Sequence, residues 1–131
     1  MALEISIQET KKDAYLVSLT GELDTLTAAD LEKQILPILP KAIAVVFDLS
    51  KLTYISSMGL RVMAITKKAM SAKNGAVMVA NPQPQIQAVF EATRILSDDL
   101  LATLEEADSL LDSYLDKVQK GLIKPYRPKN N

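Results

Sequence analysis

The chain contains no cysteine and no histidine among its 131 residues. Those two gaps remove whole classes of chemistry. Thiol nucleophiles, zinc sites of the usual Cys/His kind and a Ser-His-Asp triad are all excluded. No run approaches the roughly 18 uninterrupted apolar residues of a membrane span. Charge of neither sign dominates. The 15 Lys and Arg against 16 Asp and Glu leave a net charge of −1, which argues against a general affinity for nucleic acid or anionic membrane. What remains, 48% hydrophobic and 24% charged, is the composition of one ordinary globular domain, long enough to bury a core without staples. The opening MALEISIQETKK carries Glu4 inside its early apolar run and lacks a small-residue cleavage site, so it does not read as a signal peptide. The expectation is a cytoplasmic protein.

Hydrophobic periodicity orders the rest. In LEISIQE, Leu3, Ile5 and Ile7 alternate with Glu4, Ser6 and Gln8, the pattern of a half-buried strand. YLVSLT is a second strand, and the short polar link KKDA between them predicts a hairpin. TAADLEKQILPIL reads as a helix, with Leu31, Ile35 and Ile38 on one face, Thr27 as a cap and Pro37 and Pro40 closing it. IAVVFDLS is a β-branched apolar run suited to a strand covered on both faces, and KLTYI reads as a connection. From SSMGL to Lys73 the pattern is helical, with Gly75 as the stop. AVMVA is a further buried strand. Pro84 opens a helix with Ile86, Val89 and Phe90 at helical spacing. DLLATL is a last short strand. In the final helix Ala107, Leu110, Leu111, Tyr114, Leu115 and Val118 form one apolar stripe that stops at Gly121. The order ββαβαβαβα predicts an α/β fold: an opening hairpin, then a mixed, mainly parallel sheet of about five strands with about four helices and right-handed crossovers. One domain over residues 1–120 and a basic, loosely ordered tail over 121–131 is the expected organisation.

SSMGL follows a strand and opens a helix, so Ser56 or Ser57 stands at the N-cap. Capping alone explains a serine there, because its hydroxyl accepts from a first-turn amide that has no other partner. A second reading makes the hydroxyl a phosphate acceptor, since helix N-termini favour anions and a phosphoserine adds roughly −1.5 to −2 charge. Such a charge can be neutral for folding and decisive for a docked partner. A third reading is a nucleophile, but the G-x-S-x-G motif is not met in Ile55-Ser56-Ser57-Met58-Gly59, and the base would have to be Lys or a carboxylate.

Two segments, LTGELDTLTAADLEKQI and VVFDLSKLTYISSMGLRVM, in this order and spacing, resemble the STAS family, the anti-sigma-factor antagonists of bacteria. The resemblance extends from Leu3 to about Asp116. It implies four helices against a mixed sheet, and a regulatory module rather than an enzyme. In phosphorylated members the helix opens Asp-Ser-x-Gly-Leu. Aligning on Gly59-Leu60 puts Ser57 at the phosphorylated position, with Ser56 where those members carry aspartate and hence the lesser candidate. The partner-binding set implied is Gly21, Glu22, Asp24, Thr25, Ser56, Ser57, Met58, Gly59 and Arg61. The partner implied is a serine kinase that doubles as an anti-sigma factor, with a separate serine phosphatase to reset the switch. No cofactor and no metal are implied. The same fold serves as a binding module for small molecules or for transport and lipid systems without serine phosphorylation, which is the alternative reading.

The residues add detail beside the resemblance. Parallel neighbouring strands would bring TGELD and SSMGL to one sheet edge, where open α/β sheets place their sites. Gly21 reads as a tight turn. Asp24 reads equally well as a helix cap. Gly59 reads as close packing or as clearance beside the serine. Arg61, one turn from Ser57, is placed to meet an added phosphate. Lys67 and Lys68 read as solubilising. Met63 and Met70 read as core filler, and Met58 as partly exposed. Asp98 to Asp116 holds seven carboxylates (Asp98, Asp99, Glu105, Glu106, Asp108, Asp112 and Asp116). They read as the solvated face of the last helix, with Lys117 and Lys120 at the end its dipole prefers.

Overall fold

The structure, a computed structural model, describes residues 2–94, 101–102 and 104–125, and the backbone alone for 101–102 and 104–108. Its elements are β1 (Leu3–Lys11), β2 (Ala14–Leu23), α1 (Thr25–Ile35), β3 (Ala44–Ile55), α2 (Ser57–Ser71), β4 (Ala76–Ala80), α3 (Pro84–Thr93), β5 (Leu101–Ala102) and α4 (Leu104–Gln119). The five strands form one sheet in the order β1-β2-β3-β4-β5. β1 and β2 pair antiparallel with Ile5 opposite Leu19, and every later pair is parallel. This is the expected element order and the expected mixed sheet.

Strand alternation divides the apolar side chains between two layers. Val17, Leu19, Val45, Phe47, Val77 and Val79 face one side, where they pack with Leu31 and Ile35 of α1, Val62 and Met63 of α2, and Ile86 and Phe90 of α3. Three successive crossovers in one direction along the sheet place their helices on one face when all share the same hand. The other face is lined by small side chains, Ala14, Ala44 and Ala80, beside Val46 and Met78, and α4 lies on it through Leu111, Tyr114 and Leu115. Of the anticipated α4 stripe, Leu110 turns outward and is exposed. The side chain of Ala107 is outside the described set, as are those of the acidic residues from Asp98 to Asp108 and all of residues 126–131 in the tail.

The largest departure from the sequence reading is β3. KLTYI is strand, not connection, so β3 runs twelve residues to Ile55. Its pairing with β2 shifts between Ser18 and Thr20 and again between Gly21 and Glu22. At each shift β3 spends an extra residue against β2, as a bulge does. Bulges turn the two-residue repeat into a three-residue one, so Leu49, Leu52 and Ile55 are the buried positions. That spacing imitates a turn of helix or a loop, which is why the segment does not read as strand.

Gly21 likewise lies inside β2 and makes no turn. Its φ is +112°, and a Cβ there would stand 2.5 Å from the carbonyl oxygen of Ala2. The residue therefore lets β1 pass close across a distorted stretch of β2. At the far end of α2 the left-handed residue is Asn74, with φ 59°, rather than Gly75. Lys73 is buried beside it, and its ammonium donates to the carbonyl oxygens of Leu39 and Pro40, tying α2 to the segment after α1.

Candidate functional site

β2 and β3 are parallel and end together, Glu22 opposite Tyr54 and Leu23 opposite Ile55. The next residues on the two strands are Asp24 and Ser56, and each is the N-cap of the helix that follows. The two loops of the sequence reading therefore do meet at one sheet edge. They are joined directly, because the Ser56 amide donates to the Leu23 carbonyl oxygen at 2.8 Å.

The α1 cap is a reciprocal box. Asp24 Oδ1 accepts from the Thr27 amide at 2.8 Å, and Thr27 Oγ1 accepts from the Asp24 amide at 2.8 Å. Thr27 Oγ1 also donates to the Glu22 carbonyl oxygen at 2.8 Å, closing the turn. Thr27 is thus the third helical residue rather than the cap, a role that falls to Asp24. The Thr27 amide, followed by its hydroxyl and the Leu26 amide, holds the Asp24 carboxyl below its usual pKa against a smaller opposing effect of desolvation.

The two serines have different surroundings. Ser56 is half-buried with extended backbone, and its Oγ accepts from the Gly59 amide at 3.2 Å. Ser57 is the first helical residue, is exposed, and makes no side-chain hydrogen bond among the described residues. Its hydroxyl therefore points into solvent beside amides that lack intrahelical acceptors, at the positive end of the helix dipole. No lysine or carboxylate among the described residues bonds it. Gly59 is buried, and a Cβ on it would lie 2.7 Å from Leu23 Cγ and 3.0 Å from Ile55 Cγ1. Close packing of α2 onto the ends of β2 and β3 is the reason for this glycine.

Three large apolar side chains from the first turn of α1, the end of β3 and the first turn of α2 are in the open: Leu26 at 81% exposure, Tyr54 at 50% and Met58 at 39%. Thr25 is exposed beside them. The sequence singles out neither Leu26 nor Tyr54, since Leu26 stands just ahead of the helical pattern that begins at Thr27 and Tyr54 lies in a segment that reads as a connection. Arg61 does not lie free. Its Nη1 donates to Glu32 Oε1 at 2.9 Å, across a groove of about 260 Å³ between α1 and α2 that Ala28, Leu36, Met58 and Val62 also line. An exposed pair of this kind contributes about 0.2–1 kcal/mol. Two further residues that the sequence did not single out position the edge from its other side. Gln83 and Gln85 donate side-chain amides to the carbonyl oxygens of Ser50 and Thr53, at 3.0 and 3.2 Å. β4 has ended by then, its last pairing with β3 being Ala80 with Asp48.

Residues 5–107 match the model of the STAS domain family. The chain belongs to the STAS domain family. Over 99 residues it is 33% identical to BtrV of Bordetella bronchiseptica, named as an anti-sigma factor antagonist, covering 74% of this chain and 85% of that protein. Its fold is also that of the anti-sigma factor antagonist SpoIIAA. The unphosphorylated form superposes with a TM-score of 0.75 at 18% identity, over 84% of this chain and 97% of that one. The phosphorylated form of SpoIIAA from Bacillus gives 0.70 at 19% identity, over 82% and 99%. Among the described residues no helix is long and apolar enough to cross a membrane.

Proposed function

We propose that the protein is an anti-sigma factor antagonist that docks on a partner combining anti-sigma and serine-kinase roles, and that phosphorylation of Ser57 controls the docking. The observation that carries this reading is the contrast between the two hydroxyls. Ser56 is engaged as the cap, and Ser57 is exposed at the helix start, on the edge where Leu26, Tyr54 and Met58 are also open. Leu26, Tyr54 and Met58 supply buried area on docking, as aromatic and methionine side chains do at the centres of interfaces. Glu22, Asp24, Thr25 and Arg61 supply the polar rim, while Gly21 and Gly59 shape the backbone beneath. In the modification step the γ-phosphoryl group of a nucleoside triphosphate held by the partner passes to Ser57 Oγ. The hydroxyl proton is lost and the nucleoside diphosphate leaves. A dianion on that edge then meets the partner's apolar surface, and the desolvation and repulsion release it. A separate serine phosphatase restores the hydroxyl.

The protein is here a ligand and a substrate, acting in the cytoplasm without a cofactor. BtrV, the relative at 33% identity, carries the same functional name, and SpoIIAA occurs in both phosphorylation states. The test is to incubate the protein with serine kinases encoded in the same genome and to map the modified residue by mass spectrometry. Loss of modification in Ser57→Ala and its retention in Ser56→Ala supports the assignment. Undiminished modification of Ser57→Ala overturns it.

A further inference from the structure

Ser57 and Arg61 are four residues apart in α2, one above the other on the same helix face, and Arg61 reaches sideways to Glu32 of α1. We propose that this ion pair carries the effect of the Ser57 phosphate beyond the helix start: the phosphate takes the Arg61 guanidinium from Glu32 and so alters the groove between α1 and α2. The inference rests on Ser57 being the acceptor.

The two competitors for Arg61 are unequal. Glu32 offers one carboxylate across an exposed groove, where water screens the pair. A phosphoserine at 57 offers up to two charges and three acceptor oxygens, held in place by the helix dipole. Arginine's planar fork suits a phosphate well. Once the guanidinium has moved, Glu32 stands without its partner in the groove that Met58 and Leu36 also line. Before modification the groove carries the Arg61–Glu32 pair and Lys33 beside the apolar side chains of Ala28, Leu36, Met58 and Val62. Afterwards Glu32 has lost its arginine, the balance of charge in the groove has shifted by one, and the arginine sits at the helix start. A partner contacting α1 therefore senses a phosphate that it never touches.

Phosphoserine is installed at position 57 of the full chain by amber suppression, with no kinase needed. The Arg61 Nε–Hε signal and the phosphate's titration are then followed by 15N and 31P NMR. The Arg61 signal is expected to shift when the phosphate is present. The phosphate midpoint is expected to lie roughly 0.15–0.4 pH unit below that of the Arg61→Gln phosphoprotein. Arg61→Lys should recover part of that difference, and Glu32→Gln should lower the midpoint further by freeing Arg61. An Arg61 signal indifferent to the phosphate, or a midpoint unchanged in Arg61→Gln, overturns the exchange. Neither outcome bears on whether a kinase modifies Ser57, which the mapping experiment decides separately.

Discussion

The backbone amide of Ser56 donates to the carbonyl oxygen of Leu23 at 2.8 Å, so the entrance of α2 hangs directly on the last residue of β2. Through this one bond the capping box of Asp24 and the serine pair of α2 form a single edge. Stability and function can be separated there by substitution.

The first separation is between the two serines. Ser56→Ala removes the cap bond to the Gly59 amide and is expected to cost about 0.5–2 kcal/mol. Ser57→Ala removes an exposed hydroxyl that has no partner among the described residues and should stay within about 0.5 kcal/mol of the parent. Urea unfolding of the two variants measures the difference, and equal losses would contradict the assignment of Ser56 as the cap.

A second expectation concerns acid. The Asp24 carboxyl has a folded pKa below its usual 3.8, so its ionised form is favoured by folding. That contribution is complete above the unfolded value and is lost as the pH falls from there through the lower folded value. Asp24→Asn keeps a good cap but does not titrate. The stability gap between parent and Asp24→Asn should therefore be constant above about pH 5 and shrink as the pH drops below 4. Urea midpoints taken from pH 2 to pH 6 check this, and the other carboxylates cancel in the difference.

Glycine replacements probe the packing beneath the site. Alanine at Gly59 places a methyl group against Leu23 and Ile55, both fully or nearly buried. Overpacking of this kind costs about 1–3 kcal/mol, and the better helix propensity of alanine returns up to about 1. Gly21→Ala should be worse, because it adds a positive φ to a backbone oxygen 2.5 Å away. Thermal unfolding should rank parent, Gly59→Ala and Gly21→Ala in descending order.

The open apolar side chains give the opposite phenotype. Leu26→Ala, Tyr54→Ala and Met58→Ala remove exposed side chains and should leave stability within about 0.5 kcal/mol. Binding to the proposed partner, measured by calorimetry, should weaken by tenfold or more for at least one of them, as truncation of a central contact does. Three variants with parental affinity would move the docking surface elsewhere.

Much of this edge could be read before any coordinates. The alternation in β1 and β2 located the hairpin, and the β-branched run from Val45 placed a central strand correctly. A serine between a strand and a helix is a strong local signal, and its narrowing to Ser56 or Ser57 needed only capping preference. The misreadings share a physical cause. Bulges in β3 erase the two-residue repeat over Leu49, Leu52 and Ile55, so the strand's second half carried no strand signal. Gly21 reads by its commonest use, a turn, whereas what it accommodates is the backbone oxygen of Ala2, just ahead of β1. Thr27 and Asp24 are both good caps, and only the path of the chain decides between them. Arg61 was legible as a neighbour of Ser57, but Glu32 lies 29 residues away, and nothing local announces that pair.

β4 stops opposite Asp48, while β3 runs on to Ile55. Along that overhang the seam facing α3 is fastened by two glutamine amides instead of a ladder. Opening it breaks fewer bonds than parting β3 from β4, so deuterium should enter the Ser50–Ile55 half ahead of the Ala44–Asp48 half. Ser57 thus follows the end of the central strand that breathes most readily, while the rest of the sheet stays zipped.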